Sequence, residues 1–244
     1  MKPNSEITYL EELIQEFGPR KKIDASEAFE LLRVRYEKLE QSIPVFVNAL
    51  MGEISRLKIN PQSKNKSNSD FFTVYFAVYC NSFHELLFKD ILKNAGSYRK
   101  SSDPKDGYVG FGGESRRRVG SHKFSGSNPK VIKKDLASTF VLLDKNSKQP
   151  VKDALEFYRR FVYIHPFYDA NGRIGRLILS IYLLYFDLYI NWREIESGGN
   201  KTNFIKKLNE CHKRQGKHKY DEHFNYLYSF FEKFVVSTDT LKDK

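Results

Sequence analysis

The feature that most constrains this chain is a short polar loop between two long apolar helical patterns. Residues 151–164 carry apolar side chains at helical spacing, and residues 173–190 are apolar enough for a buried helix. Because a proline disfavours helical backbone in the residue before it, Pro166 should end the first helix at His165. The second helix is predicted to begin near Asn171, a residue type suited to an N-cap. The sequence therefore predicts a rigid helix–loop–helix.

The loop and the start of the second helix concentrate residues that bind phosphate and metal. An Asp offers a hard oxygen ligand for Mg²⁺, and a Gly lets an anion approach the backbone closely. Two Arg three positions apart share one helical face and can clamp phosphate oxygens near the positive end of the helix dipole. The segment reads His165-Pro166-Phe167-Tyr168-Asp169-Ala170-Asn171-Gly172-Arg173-Ile174-Gly175-Arg176.

His165 is the candidate base of this segment. Imidazole has an unperturbed pKa near ~6.5, which suits it to take a hydroxyl proton at neutral pH. Taken singly, each residue would be interpreted as structural, with a hydrogen-bonded His and a solvated Arg pair. Together, a metal ligand, an anion site and a base indicate phosphoryl or nucleotidyl transfer.

Helical spacing dominates the rest of the chain. Pro44 interrupts the second helical pattern, residues 60–70 have the composition of a linker, and the Gly-rich segment 100–130 could contain one short strand near Val119 to Phe124. The fold class is therefore predicted as all-α with one small β-hairpin. The other helical patterns cover residues 6–17, 25–58, 71–93, 130–145, 201–212 and 220–236.

Composition narrows the functional classes. The apolar stretch 177–192 contains Asp187 and is too short to span a bilayer, and the first residues carry no apolar run of signal-peptide length. With Cys80 and Cys211 as its two cysteines, the chain is predicted to be cytoplasmic with reduced thiols. A net charge of +11 would suit nucleic acid, a nucleotide or an acidic protein, but no recognised nucleic-acid motif accompanies it.

Residues 165–176 resemble the signature of the Fic family, His-Pro-Phe-x-(Asp/Glu)-Gly-Asn-Gly-Arg-x-x-Arg. Ala170 stands where that signature has Gly, as in the related death-on-curing toxins, whose motif reads Asp-Ala-Asn-Lys-Arg. Those toxins are kinases with Lys at the position of Gly172. Because Gly172 is present, the resemblance implies an anion hole of the AMP-transferring kind.

Weaker similarities flank the signature. Phe83-His84-Glu85 with Ala95 to Arg99, the segment from Gly113 to Pro129, and Asn203 to Phe231 resemble the family's early helix, its flap hairpin and its closing helices. The resemblance implies a Fic-type helical bundle with a small β-hairpin flap. The predicted organisation is an N-terminal helical arm (1–60), a Fic domain (71–235) and a polar tail (236–244).

The resemblance implies a protein AMP transferase that uses ATP and Mg²⁺. By that resemblance His165 deprotonates a Tyr, Thr or Ser hydroxyl of a target protein, and Asp169 holds Mg²⁺ at the α- and β-phosphates. The oxygen attacks the α-phosphorus and pyrophosphate leaves. Phe167 is implied to be a buried anchor. The residues implied to bind the phosphates are Asn171, Gly172, Arg173 and Arg176.

Partners follow from the same resemblance. The target would dock as an added strand on the flap near residues 116–124, where His122 and Arg116 to Arg118 lie. Two alternatives remain at this point. One is a Fic-fold enzyme that transfers UMP or phosphate, and the other is a basic nucleic-acid-binding module with an inactive site.

The resemblance also bears on inhibition. Many Fic enzymes are inhibited by a Glu in the pattern Ser/Thr-x-x-x-Glu-Gly/Asn, which pairs with the second Arg of the signature, here Arg176. The candidate segment starting at Ser55 has Ile59 in place of that Glu. Arg176 is therefore predicted to be unpaired, with inhibition coming from a separate antitoxin-like protein or a homo-oligomer. Glu53 is the alternative inhibitory residue.

Two further histidine patterns are interpreted as structural. His84 lies on an apolar helix and is predicted to pack in the core. Cys211, His212, His218 and His223 match no zinc spacing, and the surrounding Lys and Arg would repel a cation.

Overall fold

Helices make up most of the chain, together with two small antiparallel strand pairs. The computed structural model describes residues 5–18, 23–59, 68–112, 124–217 and 219–242. The helices are α1 (Ser5–Phe17), α2 (Ala25–Gln41), α3 (Ile43–Ile59), α4 (Asn68–Phe88), α5 (Ile132–Phe140), α6 (Pro150–Ile164), α7 (Asn171–Tyr185), α8 (Trp192–Glu196), α9 (Gly198–Arg214), α10 (Tyr220–Phe231) and α11 (Asp239–Lys242). The strands are β1 (Gly110–Phe111), β2 (Phe124–Ser125), β3 (Leu188–Ile190) and β4 (Val235–Ser237).

The predicted break in the second helical pattern is confirmed. α2 begins after Asp24, whose side chain accepts hydrogen bonds from the N–H groups of Ser26 and Glu27 at 2.8 and 3.2 Å. This is N-capping by a residue type that favours it. Ser42 separates α2 from α3, and Pro44 lies in the first turn of α3, where its missing N–H breaks no helical hydrogen bond.

α7 is the central helix of the bundle. It packs against α3, α4, α6 and β3, and Ile174, Ile178 and Tyr182 on it are fully buried. Gly175 allows α6 to approach, because a Cβ added there would lie 3.0 Å from the ring of Tyr158. A helix buried on this scale fixes the position of its N-terminus, which is the end that carries the loop.

The predicted helix over residues 173–190 is too long. α7 ends at Tyr185, and Asp187 adopts a left-handed φ of 57°, which stops the helix. Residues 188–190 instead form β3, which pairs with β4 so that Tyr189 lies opposite Val236. β4 occupies the end of the predicted last helix and the start of the predicted polar tail. A run of three apolar residues does not distinguish a strand from a helix by periodicity, so the sequence missed this pair.

The predicted class, all-α with a small hairpin, is confirmed. β1 and β2 pair antiparallel, with Gly110 opposite Ser125 and Phe111 opposite Phe124. α4 begins at Asn68, three residues before the predicted boundary at residue 71. Within the described residues, no helix combines the length and the apolarity that crossing a membrane requires.

Candidate active site

The loop begins where the sequence predicted, at the end of α6. His165 is the C-terminal cap of that helix and has left-handed backbone angles, φ 53° and ψ 59°. Its N–H still donates to Phe161 O at 3.1 Å. A left-handed conformation is uncommon for a residue other than Gly, so neighbouring contacts must hold it.

The contacts of the His165 imidazole include a hydrogen bond and a stacking contact. Its Nδ1 lies 3.2 Å from the carbonyl oxygen of Val162. A proton on Nδ1 donates to that oxygen, which places the lone pair of the neutral ring on Nε2. The ring also stacks on Phe111 of β1, with centroids 4.7 Å apart and planes 9° apart. The hairpin therefore contacts the candidate base directly.

A buried arginine that sequence reasoning did not assign to the site holds the backbone of this loop. Arg99 is 2% exposed, and its Nε donates to His165 O at 2.7 Å. Its backbone N–H donates to Pro166 O at 3.0 Å. The sequence showed Arg99 only as part of a weak family similarity, because nothing local pairs it with residues 165 and 166.

Phe167 is the buried anchor that the sequence predicted. It is fully buried, and His84 of α4 stacks on it with centroids 4.1 Å apart. His84 Nδ1 accepts a hydrogen bond from Gly96 N–H at 2.9 Å, which confirms His84 as a packed core residue. Burial lowers the pKa of His84 to about 3, so its ring is neutral at pH 7.

Asn171 has a different position from the one predicted. The N-cap of α7 is Ala170, which has a left-handed φ of 59° and ψ of 11°, and Asn171 is the first residue of the helix. The Asn171 side chain is buried and turns back to Phe167, accepting from its N–H at 2.9 Å and donating to its O at 2.8 Å. Its amide therefore closes the loop, and only its backbone faces the helix N-terminus.

The N-terminus of α7 has the geometry of an anion site. Its first helical hydrogen bond joins Ile174 N–H to Ala170 O, so the N–H groups of the preceding turn have no intrahelical acceptor. Ala170 supplies no side-chain cap. Above Gly172, a Cβ would meet only the Tyr158 hydroxyl, at 3.7 Å, so the backbone there is open to a ligand.

Asp169 and Arg173 are paired with each other. Asp169 Oδ2 lies 3.3 Å from Arg173 Nη2, and Oδ1 accepts a hydrogen bond from Ala170 N–H at 2.6 Å. Both side chains are partly exposed. The candidate metal ligand and one candidate phosphate ligand therefore neutralise one another in this structure.

The prediction that Arg176 is unpaired is wrong. Its Nη1 forms an ion pair with Glu196 at the end of α8, although Glu196 does not belong to the pattern searched for in the sequence. The guanidinium lies between two rings, 5.6 Å from the centre of Tyr36 and 5.7 Å from that of Trp192. Glu53, the alternative considered from the sequence, pairs with Arg56. Side chains 57–59 lie outside the described residues, so Ile59 is not placed.

The N-terminal helices contact the loop as well. Tyr9 of α1 donates its hydroxyl to Tyr168 O at 2.6 Å. Phe17, at the end of α1, packs on the Tyr168 ring with centroids 4.6 Å apart. Together with Tyr36 of α2, these contacts make the predicted arm part of the surroundings of the site.

His212 packs against the hairpin strands. Its ring contacts Phe111, Phe124 and Tyr163, with centroids 5.2 to 5.9 Å away. Burial lowers its pKa to about 4. Most of the predicted flap, residues 113–123 with His122 and the three arginines, lies outside the described residues, as does His218.

A comparison with family models identifies the region that contains this loop. Residues 77–183 match the model of the Fic/DOC family. This stretch of the chain is similar to proteins of the Fic/DOC family. That region holds α6, the loop and α7 up to Leu183, together with Arg99 and the described strands of the hairpin. Among curated proteins, no sequence matches the chain.

Solved Fic domains have a similar fold. The N-terminal Fic domain of a Bartonella effector protein from Bartonella sp. AR 15-3, a substrate of the VirB secretion system, is 14% identical, with a TM-score of 0.51 over 91% of this chain and 92% of that one. A Fic-domain-containing signalling protein from Bacteroides thetaiotaomicron is 20% identical, with a TM-score of 0.49 over 93% and 80%. BepC from Bartonella tribocorum, solved with bound AMPPNP, is 16% identical, with a TM-score of 0.45 over 84% and 88%. The first of these likenesses shows a shared fold.

Proposed function

We propose that this protein transfers AMP from ATP to the hydroxyl group of a Tyr, Thr or Ser side chain of another protein, with His165 as the general base. One observation carries the proposal. A histidine that can act as a base and an uncapped helix N-terminus that is open to a ligand lie at opposite ends of a single loop, whose backbone is held by Arg99 and Asn171. That arrangement is what proton removal next to a phosphate group requires.

His165 acts on the target hydroxyl through Nε2. The hydrogen bond between Nδ1 and Val162 O orients the ring and fixes its tautomer. As the hydroxyl proton moves to Nε2, the ring becomes a cation that still donates from Nδ1 to the carbonyl. The carbonyl thus stabilises the charged form of the base as well as the neutral one.

Phosphate binding belongs to the start of α7. The N–H groups of Asn171, Gly172 and Arg173 point along the helix axis toward the loop, where the helix dipole favours negative charge. The Arg173 and Arg176 guanidinium groups, which now pair with Asp169 and Glu196, would turn to phosphate oxygens. In this proposal Asp169 and Glu196 pair with the two arginines when no nucleotide is bound.

Asp169 fits the role of magnesium ligand. Mg²⁺ in nucleotide enzymes takes one or two carboxylates, with phosphates and water completing its six ligands. A single partly exposed carboxylate beside an anion site meets that requirement once Arg173 leaves it. Bound there, the ion would neutralise charge on the α- and β-phosphates.

The proposed reaction forms one bond and breaks one at the α-phosphorus, and it moves one proton from the target hydroxyl to His165. The target oxygen attacks the α-phosphorus in line, and the bond from that phosphorus to the oxygen bridging the α- and β-phosphates breaks. Pyrophosphate leaves with the electron pair, and the hydroxyl proton stays on His165. The target would be presented by the flap near residues 116–124, next to the stem formed by β1 and β2.

Mass spectrometry tests the proposal. The protein is incubated with candidate target proteins, ATP and Mg²⁺, and with His165→Ala as the control. An adduct of about 329 Da on a hydroxyl side chain, absent from the control, is expected for AMP transfer. An adduct of about 80 Da would indicate phosphate transfer, and modification only with UTP would indicate UMP transfer. No adduct, together with salt-dependent binding to nucleic acid, would favour the binding-module alternative.

A further inference from the structure

The hydrogen bonds of the Arg99 guanidinium are unusual in the acceptors they use. Among the described residues, its four side-chain hydrogen bonds all go to backbone carbonyl oxygens. A buried Arg is normally paired with a carboxylate, because an uncompensated charge is costly to bury. Burial lowers the pKa of Arg99 to about 10, which still leaves it charged at pH 7. A retained buried charge of this kind calls for an explanation.

The four carbonyls belong to three segments that meet at the candidate base. Two belong to Ile164 and His165, at 3.2 and 2.7 Å. Another belongs to Ser127 after β2, at 3.0 Å, and the last to Gly107 before β1. One side chain therefore joins the end of α6 to the segments that flank the two strands of the hairpin.

The base needs such support. The last carbonyls of a helix lack intrahelical donors, and a cation at that end is favoured by the helix dipole. His165 is also left-handed, a conformation that persists in a residue other than Gly only where its surroundings enforce it. The hairpin in turn carries Phe111, which stacks on the His165 ring. Arg99 thus acts on the backbone of the base directly and on its ring through β1.

We propose that Arg99 is a positioning residue that holds His165 in its catalytic orientation and couples the hairpin to it. The inference rests on the function proposed above, in which His165 is the base. Arg99 touches neither substrate nor reacting atoms. It differs from an ordinary core residue in that its removal should change the rate of transfer by more than the change in stability explains.

Arg159 supplies a matched control. It is also 2% exposed, but its guanidinium donates to the side chains of Glu156 and Gln215 instead of to the loop. Substituting Lys for either arginine keeps the charge and removes the fork of donors. Both variants should therefore lose stability to a similar degree. Only the Arg99 variant should displace the base.

The experiment measures transfer and local opening in the same proteins. Incorporation of label from α-labelled ATP into proteins of a cell lysate gives apparent kcat and KM, and hydrogen exchange reports the amide of Ser127, which donates to Ile164 O at 3.0 Å. Arg99→Lys is expected to lower kcat about 10- to 100-fold with KM for ATP within about threefold, and to speed exchange at Ser127. Arg159→Lys is expected to keep kcat within about threefold of wild type and to leave Ser127 exchange unchanged.

A second variant covers the case in which Arg99→Lys does not fold. A Cβ added at Gly126 would lie 2.9 Å from Arg99 Nη2 and 3.1 Å from both His165 Cβ and Ile164 O, so Gly126→Ala displaces the same contacts and retains the Arg. It should show the same loss of kcat. Equal losses of kcat in Arg99→Lys and Arg159→Lys, or kcat within threefold of wild type in both Arg99→Lys and Gly126→Ala, would overturn the inference.

The two proposals fail in different ways. If the wild-type protein labels nothing, the proposed transfer activity fails, and Ser127 exchange alone decides the coupling. Faster exchange in Arg99→Lys and Gly126→Ala but not in Arg159→Lys then supports the link between hairpin and base. Unchanged exchange in all three overturns it.

Discussion

The two halves of the segment from His165 to Arg176 are stabilised by different kinds of contact. At the base end, His165 is held by backbone hydrogen bonds from a buried Arg99 and by stacking on Phe111. At the phosphate end, Asp169, Arg173 and Arg176 are held by ion pairs between partly exposed side chains. The contacts at the base end stay the same in the proposed reaction. At the phosphate end, each of the three side chains would leave its ion pair when nucleotide binds.

This difference has an energetic meaning. Ion pairs near the surface contribute little net stability, so exchanging carboxylates for phosphates costs little. Buried hydrogen bonds to backbone carbonyls are costly to leave unmade, so the base stays where the fold places it. The base end is thus preorganised, and the phosphate end adapts when its ligand arrives.

Removing the base should have the largest effect. His165→Ala is expected to lower the transfer rate about 10²- to 10⁴-fold, because no other group replaces the proton acceptor. ATP affinity should change little, since the start of α7 is intact. Calorimetry for ATP and label incorporation for transfer measure the two separately. Transfer within tenfold of wild type would remove His165 from its proposed role.

At the phosphate end, Asp169→Ala should abolish the effect of Mg²⁺ on ATP binding. We expect the affinity for ATP in the presence of Mg²⁺ to fall about 10- to 100-fold. Without Mg²⁺ the same variant should bind ATP at least as well as wild type, because Arg173 loses its competing carboxylate. Calorimetry with and without Mg²⁺ gives both values, and an unchanged dependence on the metal would contradict the assignment.

The base end should be the more sensitive to acid. His84 stacks on Phe167 with its pKa lowered to about 3, so the unfolded chain takes up a proton at higher pH than the folded one. That contribution to stability is complete above the unfolded pKa near ~6.5 and is lost as pH falls below it, by about 2 kcal/mol at pH 5. Urea unfolding at pH 7 and pH 5 measures the loss.

His84→Asn places an amide oxygen at the position of Nδ1, so it keeps an acceptor for Gly96 N–H and has no proton to gain. Its free energy of unfolding should therefore fall by about 2 kcal/mol less than that of wild type between pH 7 and pH 5. His212, whose pKa is also lowered, is present in both proteins and cancels from the difference. Equal losses in the two proteins would show that His84 does not titrate on unfolding.

A smaller effect should follow from releasing Arg176. Glu196→Gln removes the negative charge from the pair, and ATP affinity should rise by up to about fivefold. Glu194→Gln, on the same short helix, is the matched control, because Glu194 contacts Asn191 and not Arg176. Titration calorimetry compares the three proteins. Equal affinities in all of them would mean that the pair does not compete with nucleotide.

The smallest effect concerns the junction between the halves. Ala170 has a left-handed φ, which a Gly would adopt without strain, so Ala170→Gly should raise the free energy of unfolding by about 0.5 kcal/mol. The same change at Ala77, within α4, should instead lower it by a similar amount. Denaturant unfolding of both variants tests the sign. Destabilisation by Ala170→Gly would show that the Ala methyl group packs usefully in this position.

The predictions that were confirmed concern features that residues close together in the sequence determine. Pro166 ended the first helix, the apolar run after Arg173 formed a buried helix, and Phe167 was buried. Asn171 was predicted as the N-cap of the second helix but is its first helical residue. The preference of Asn for the N-cap position did not account for a left-handed Ala170 in that position. The prediction that His84 packs in the core was confirmed, because a single His on an apolar helical face is buried together with its apolar neighbours.

The rest depends on contacts between residues distant in the chain. Arg99 reaches His165 across 66 positions, and Glu196 reaches Arg176 from a short helix that the sequence analysis did not predict. Tyr36 and Trp192 approach Arg176 from opposite ends of the chain. No periodicity or motif in one sequence specifies such long-range contacts, because they depend on how the helices pack against one another.

The bond between Tyr9 and Tyr168 sets a limit on how this protein can be divided. A fragment confined to the matched region, residues 77–183, would retain every signature residue but would expose Tyr168, with neither the Tyr9 hydroxyl nor the Phe17 ring against it. Anyone who grafts the catalytic segment onto another scaffold, or trims the gene for expression, has to carry α1 and α2 along with it. Exchanging only the signature between two such proteins would likewise separate Tyr168 from the Tyr9 and Phe17 side chains that contact it.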